Sequence, residues 1–240
     1  MEFFLAFIIV LIAGLSTGIG GALPFVMWKG NSKFLPVSLS FAAGIMVFLA
    51  LTELLEGPDT GIFFAGILFI GIVDRLLPHS HSEKIAHDGG DSELMRTGAF
   101  TAAAVSVHNI FEGIAMMMLI QNEPDLAVPM LIAVILHNVP IGAAIALPIY
   151  RATLNKSLSI AFSAMTGLTM PLSAAIGSWL FFRFINDVIL GRLFAAAAGF
   201  LVFIAVDDLL PTAYRHGKRH HVTYGFVLGM AVMAVSLYHV

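Results

Sequence analysis

The 240-residue chain contains no cysteine. That excludes disulfide frameworks and every metal site built on thiolate. Charge is almost as scarce: Asp, Glu, Lys and Arg together supply 11% of the residues, against about 25% in an ordinary soluble domain. The net charge is -3 and the pI near 6.3, so no basic surface points to nucleic acid. Alternating polar and apolar runs are missing as well, which argues against a β-barrel. What remains is apolar. Such residues make up 59% of the chain, and its mean hydropathy is +0.94. A soluble globule of this size has too little interior to hide that surface. A disordered chain would need the opposite composition. The solvent for most of the sequence is therefore lipid.

A membrane helix needs about 20 mostly apolar residues. Eight stretches qualify: 3–28, 34–55, 61–77, 98–120, 126–150, 158–182, 193–212 and 222–238. The expected fold class is an all-α membrane protein with one domain over residues 1–240. The start, Met1-Glu2-Phe3-Phe4, has no basic n-region and no clear cleavage site follows, so the first span is expected to be retained. Of the twelve Lys and Arg, ten fall in the odd-numbered connections, and only Arg183 and Arg192 in the even ones. The positive-inside rule then puts the odd connections in the cytoplasm and both termini outside.

Two internal echoes stand out. Residues 42–55 and 197–210 match without gaps at eight of fourteen positions, and Glu53 falls on Asp208. Val107-His108-Asn109-Ile110-Phe111-Glu112-Gly113 in span 4 echoes Leu136-His137-Asn138-Val139-Pro140-Ile141-Gly142 in span 5. In each pair the two spans run in opposite directions. Inverted repeats of this kind are typical of secondary transporters, whose sites lie near the midplane.

Ionisable side chains at membrane depth are costly and point to function. His108 and Glu112 are four residues apart, one turn apart on one helix face. Imidazole with carboxylate suits zinc and its first-row neighbours better than magnesium or calcium. A hydrogen-bonded His–Glu pair holding two helices together has the same spacing. His137 and Asn138 lie at similar depth. Pro140 cannot donate to the Leu136 carbonyl, which leaves either a loose acceptor or a packing kink. Met46 offers a thioether, though a lone Met is more often packing. Glu53, Asp207 and Asp208 lie near helix ends, as acids at the mouths of a path or as ordinary end charges. Two polar loops carry His79, His81 and His87, and His216, His220 and His221. Either loop suits transient metal contact or plain solvation.

Several stretches carry a resemblance. They are Gly18-Ile19-Gly20-Gly21-Ala22-Leu23-Pro24, Ala43-Gly44-Ile45-Met46, Asp74-Arg75-Leu76-Leu77-Pro78-His79-Ser80-His81, His108-Asn109-Ile110-Phe111-Glu112-Gly113, Asp208-Leu209-Leu210-Pro211 and Gly225-Phe226-Val227-Leu228-Gly229. In this order and spacing the chain resembles the ZIP (Zrt/Irt-like) family of metal transporters over nearly its whole length. The resemblance implies eight helices arranged as three, two and three, with spans 1–3 and 6–8 related by inversion. It implies uptake of divalent metal, zinc foremost, with Cd2+, Mn2+ or Fe2+ as alternatives. One implied metal position takes Met46, His108 and Glu112; a second takes Asn109, Glu112 and Asn138. A release route would pass Asp74, His79, His81, Asp207 and Asp208.

Two departures reduce that site. Ile141 stands where the family pattern Pro-Glu-Gly has its carboxylate, and Met170 stands before Pro171 where span 6 usually has Glu. Losing both charges weakens dication binding in a low-dielectric interior. The expectation is one core metal held by His108 and Glu112, with Met46 and His137 as further ligands. Glu53 is the acid that would compensate by swinging inward. The leading expectation is a divalent metal transporter of the plasma (inner) membrane working by alternating access. Its partners are the metal ions and the bilayer, with a homodimer left open. The rival is a ZIP-derived metal sensor or partner protein that no longer transports, favoured by Ile141 and Met170. An intramembrane metallohydrolase ranks last. There is no His-Glu-x-x-His motif, and Glu112 cannot serve easily as both ligand and base, so no enzyme is expected.

Overall fold

A computed structural model describes residues 2–27, 33–52, 59–76, 92–122, 124–180 and 187–238. Among them the secondary structure is entirely helical. The helices are α1 (Glu2–Met27), α2 (Phe34–Thr52), α3 (Thr60–Leu76), α4 (Ser92–Asn122), α5 (Ala127–Thr153) and α6 (Lys156–Leu180). Next comes α7 (Asp187–Ile204), which passes through a π-helical turn (Ala205–Leu209) into α8 (Leu210–His216); α9 (Arg219–Tyr238) closes the chain. Because backbone dihedrals stay helical through the turn, α7 and α8 form one rod, giving eight rods in the positions expected.

The differences lie at the ends. The seventh rod reaches Asp187 and His216, beyond the expected 193–212, and runs through Asp207 and Asp208 in a π turn without breaking. Helix α4 begins at Ser92 rather than Gly98 and has 31 residues. At a rise of about 1.5 Å per residue that is about 46 Å, longer than the hydrocarbon core of roughly 30 Å. Such a length spans the core with a tilt or reaches beyond it, and the first turns of α4 are packed through Leu94 and Met95 into the apolar core. Six of the helical rods are long and apolar enough to cross a membrane: α1, α2, α4, α5, α6 and α7–α8. Helix α3 is described over 17 residues. Helix α9 opens on Arg219-His220-His221.

Packing follows from small residues. Helix α1 lies against α5 and α6, α4 against α5, α6 and α7, α2 against α9, and α3 against α7. A Cβ on Gly142 would fall on the carbonyl oxygen of Thr17 in α1, and one on Gly113 on that of Met170 in α6. Only glycine allows these backbones to approach so closely. One apolar cluster joins α1, α4, α5 and α6 around Val10, Met117 and Met170. A larger one joins α2, α3, α4, α5, α7, α8 and α9 around Met46, Ile141 and Leu201. The outside is equally apolar: Phe4 and Ile19 on α1 and Leu68 and Phe69 on α3 are exposed. Such a surface belongs in lipid.

Candidate metal centre

The close approach of α4 and α5 to their neighbours draws two polar pairs into the centre. His108, Asn109, His137 and Asn138 are all buried. Glu112 sits between the two imidazoles. Its Oε2 is 3.6 Å from His108 Nε2 and its Oε1 is 3.1 Å from His137 Nε2. His137 Nε2 thus meets Glu112 at ion-pair distance, while both ring nitrogens of His108 and Nδ1 of His137 have no hydrogen-bond partner among the described residues. Glu112 Oε2 lacks one too. The imidazole rings stand edge to face, 6.4 Å apart.

The asparagines are oriented by their amide groups. Asn109 Nδ2 donates to the Thr166 carbonyl at 3.0 Å, and Asn138 Nδ2 donates to the Ala13 carbonyl at 3.2 Å. Each thereby keeps a buried Oδ1 with no partner among the described residues. Buried polar atoms are paired in at least about 90% of cases. Six buried lone-pair or ring-nitrogen atoms on five neighbouring residues, leaving aside His137 Nε2 beside Glu112, have no hydrogen-bond partner among the described residues and are open to a ligand. Their chemistry selects it: imidazole nitrogens, carboxylate and amide oxygens are donors to a cation of intermediate softness.

Among the described residues, His108, Glu112 and His137 are the one group of three His, Asp or Glu whose ligand atoms lie within 4.8 Å of one another. A tetrahedral zinc with bonds of about 2.0–2.1 Å holds its donors roughly 3.3 Å apart. Capture requires a contraction of at most about 1.5 Å at the widest pair, and His137 Nε2 and Glu112 Oε1 are already 3.1 Å apart. Two histidines and one glutamate leave a fourth position open, which suits a bound ion that must also leave. The two residues that replace family carboxylates contribute no charge. Ile141 and Met170 are both fully buried in apolar packing.

Residues 74–237 match the family described as ZIP zinc transporter. A protein of Streptococcus mutans named zinc transporter ZupT is 40% identical over 98% of this chain and 97% of its own length. The chain belongs to the ZIP family. Proteins of the same name from Lysinibacillus sphaericus and Clostridium perfringens are 39% and 36% identical, over at least 95% of both chains. The match covers nearly the whole chain, and the most specific motif of the ZIP resemblance, residues 108–113, carries two of the three residues of the buried ligand group.

The remaining expected site residues are distributed as follows. Met46 is fully buried on α2, in the apolar cluster that includes Ile141. Asp74 on α3 and Asp208 in the π turn meet on Arg96 of α4, Asp74 as a close ion pair and Asp208 with Oδ1 3.7 Å from Nη1. Asp207 is exposed. Glu53, His79 and His81, with His87, lie outside the described residues. His216 is bonded to the Thr212 carbonyl and His220 stacks on Tyr224. Arg96 was visible in the sequence only as a positive charge. Its spacing of twelve residues from His108 gives no hint of two acidic partners.

Proposed function

We propose that the chain carries divalent metal, zinc first and cadmium, manganese or iron as alternatives, across the plasma membrane into the cell by alternating access. One ion at a time is held by His108, Glu112 and His137, assisted by the free oxygens of Asn109 and Asn138 and by Met46. The carrying observation is a single carboxylate placed between two buried imidazoles, within 3.1 and 3.6 Å of their Nε2 atoms. The named activity of the relatives favours zinc. It also weighs against the sensor reading, since those relatives match nearly end to end.

The three, two and three arrangement with inverted halves is supported by how packing partners correspond. Exchange α1 with α6, α2 with α7, α3 with α9 and α4 with α5. The α1–α5 contact then becomes α6–α4, and α2–α9 becomes α7–α3. Gly44 and Gly199, aligned in the sequence repeat, press on Phe226 of α9 and Phe63 of α3. Gly113 and Gly142, Asn109 and Asn138 likewise turn to α6 and α1 in each case. A site at the meeting point of two inverted halves is where alternating access exposes one ion to each side in turn.

Uptake into proteoliposomes across zinc, cadmium, manganese, iron and nickel tests the reading. Zinc should accumulate, and saturably. Protein that binds zinc in the core yet moves none would instead be the sensor. Orientation has its own test. Single cysteines at Ser82 and Asp125 should react with an impermeant thiol reagent from opposite sides of the membrane, Asp125 from outside. Labelling from the same side contradicts the assigned topology.

A further inference from the structure

We propose that Arg96 is the latch of an inner gate, a tethered cation that ties Asp74 and Asp208 together until a departing dication competes for the same carboxylates. The inference rests on the carrier reading for its purpose, though not for its geometry.

Arg96 lies twelve residues before His108 on α4, about 18 Å along the axis at about 1.5 Å per residue. Its guanidinium spans two acids from two other elements. Nη2 is paired closely with Asp74 of α3, and Nη1 is 3.7 Å from Asp208 Oδ1 in the π turn. A planar fork with several donors is the side chain suited to such bridging, and it cannot neutralise itself by losing a proton. The side chains of Asp208 and Asp74 are 4% and 13% exposed, so the triad is largely withdrawn from water. Directly beside it, Thr97 of α4 and Thr212 of α8 are buried with hydroxyls 3.2 Å apart. Farther out, Glu93 of α4 pairs with Arg215 of α8. Three polar links thus pin the first turns of α4, which carries half of the core site, to α3 and the α7–α8 rod.

Charge counting explains why a cation would open it. Two carboxylates face one guanidinium, and Asp208 Oδ2 has no hydrogen-bond partner among the described residues. Two carboxylates therefore share one guanidinium, and the triad keeps a spare acceptor. Pulling Arg96 away without replacement would leave the buried Asp208 and the partly buried Asp74 facing each other without a cation. A dication supplies the replacement. The π turn adds a joint. Its closing bond runs from the Leu210 N–H to the Ala205 carbonyl, five residues back. Such widened turns occur mostly where a helix has a functional task. Returning it to α-helical winding would rotate Asp208 relative to Arg96.

Absence of native cysteine gives a silent background for the test. Thr212→Cys places a thiol at a buried position four residues beyond Asp208, and it alters the Thr97–Thr212 link equally in every protein compared. Its reaction rate with a charged maleimide is measured on the purified full chain, together with zinc bound in the core. With Arg96 present the thiol should react slowly, and zinc should accelerate it. Arg96→Gln should raise the zinc-free rate by about tenfold, the scale of ordinary coupling between two states, and zinc should then add nothing. Asp74→Asn with Asp208→Asn should reproduce that rate and serves if Arg96→Gln does not fold. An unchanged rate in either variant that still binds zinc overturns the latch. Loss of core zinc binding in the parent would overturn the carrier reading instead, and the zinc-free rates would still decide for or against the latch.

Discussion

Replacing Glu112 with alanine should lower zinc affinity in the core by more than about 100-fold, because even outer-shell changes around a metal cost roughly 10–100-fold. Glu112 is the one carboxylate in the buried ligand group. Without it a dication would meet only neutral donors in a low-dielectric interior, where an uncompensated charge is very unfavourable. The zinc-free protein should not suffer similarly. The variant removes a buried carboxylate and leaves two imidazoles that have no hydrogen-bond partner among the described residues. Its melting temperature in chelator should stay level or rise. Glu112→Gln separates charge from shape. It keeps the volume, loses the charge, and should lose zinc to the same extent. Parent-like zinc affinity in folded Glu112→Gln protein would reject the site.

Giving the core two more acids should have the opposite effect and carry a conditional cost. Ile141 and Met170 are each fully buried. Ile141→Glu combined with Met170→Glu inserts two carboxylates where the packing offers apolar neighbours. In chelator such groups either ionise without partners or hold protons, and both outcomes destabilise. A loss of several kcal/mol corresponds to a fall of about 10 °C in Tm for a chain of this size. Zinc should restore that loss, since any ligand that binds only the folded state stabilises it by mass action. The metal count per chain, or at least the affinity, should rise, because two dications side by side need more screening charge than Glu112 provides. A fall in Tm that zinc cannot reverse would mean that the new side chains do not face the span-4 ligands.

Much of this was legible in the sequence, and for identifiable reasons. The helices declared themselves because long apolar runs are interrupted by short charged connections, and lipid permits little else. His108 and Glu112 were readable as partners because the helix period places residues four apart on one face. His137 was harder. Its approach to Glu112 depends on how closely α4 and α5 pack, which no spacing within either helix determines. The echo of Gly113 in Gly142 was the available signal. Asn109 and Asn138 were legible as candidates by type, but their orientation was not. Their amide nitrogens are bonded to the carbonyls of Thr166 and Ala13, so only the oxygens remain for an ion. The π turn was not legible: Ala205-Val206-Asp207-Asp208-Leu209 contains neither proline nor glycine and reads as ordinary helix. Nor was the bridge from Arg96 to Asp208, whose partners are brought together by the packing of α4 against the α7–α8 rod.

The central claim is that one core site, with one carboxylate, holds one ion. The direct measurement is zinc bound per purified chain after the histidines outside the core, His79, His81, His87, His216, His220 and His221, are replaced by alanine. The account predicts a single tightly bound zinc, lost on Glu112→Ala. Two tightly bound ions in the unmodified core would contradict it, because some other acid, such as Glu53 or Asp208, would then be supplying the charge that Ile141 and Met170 lack.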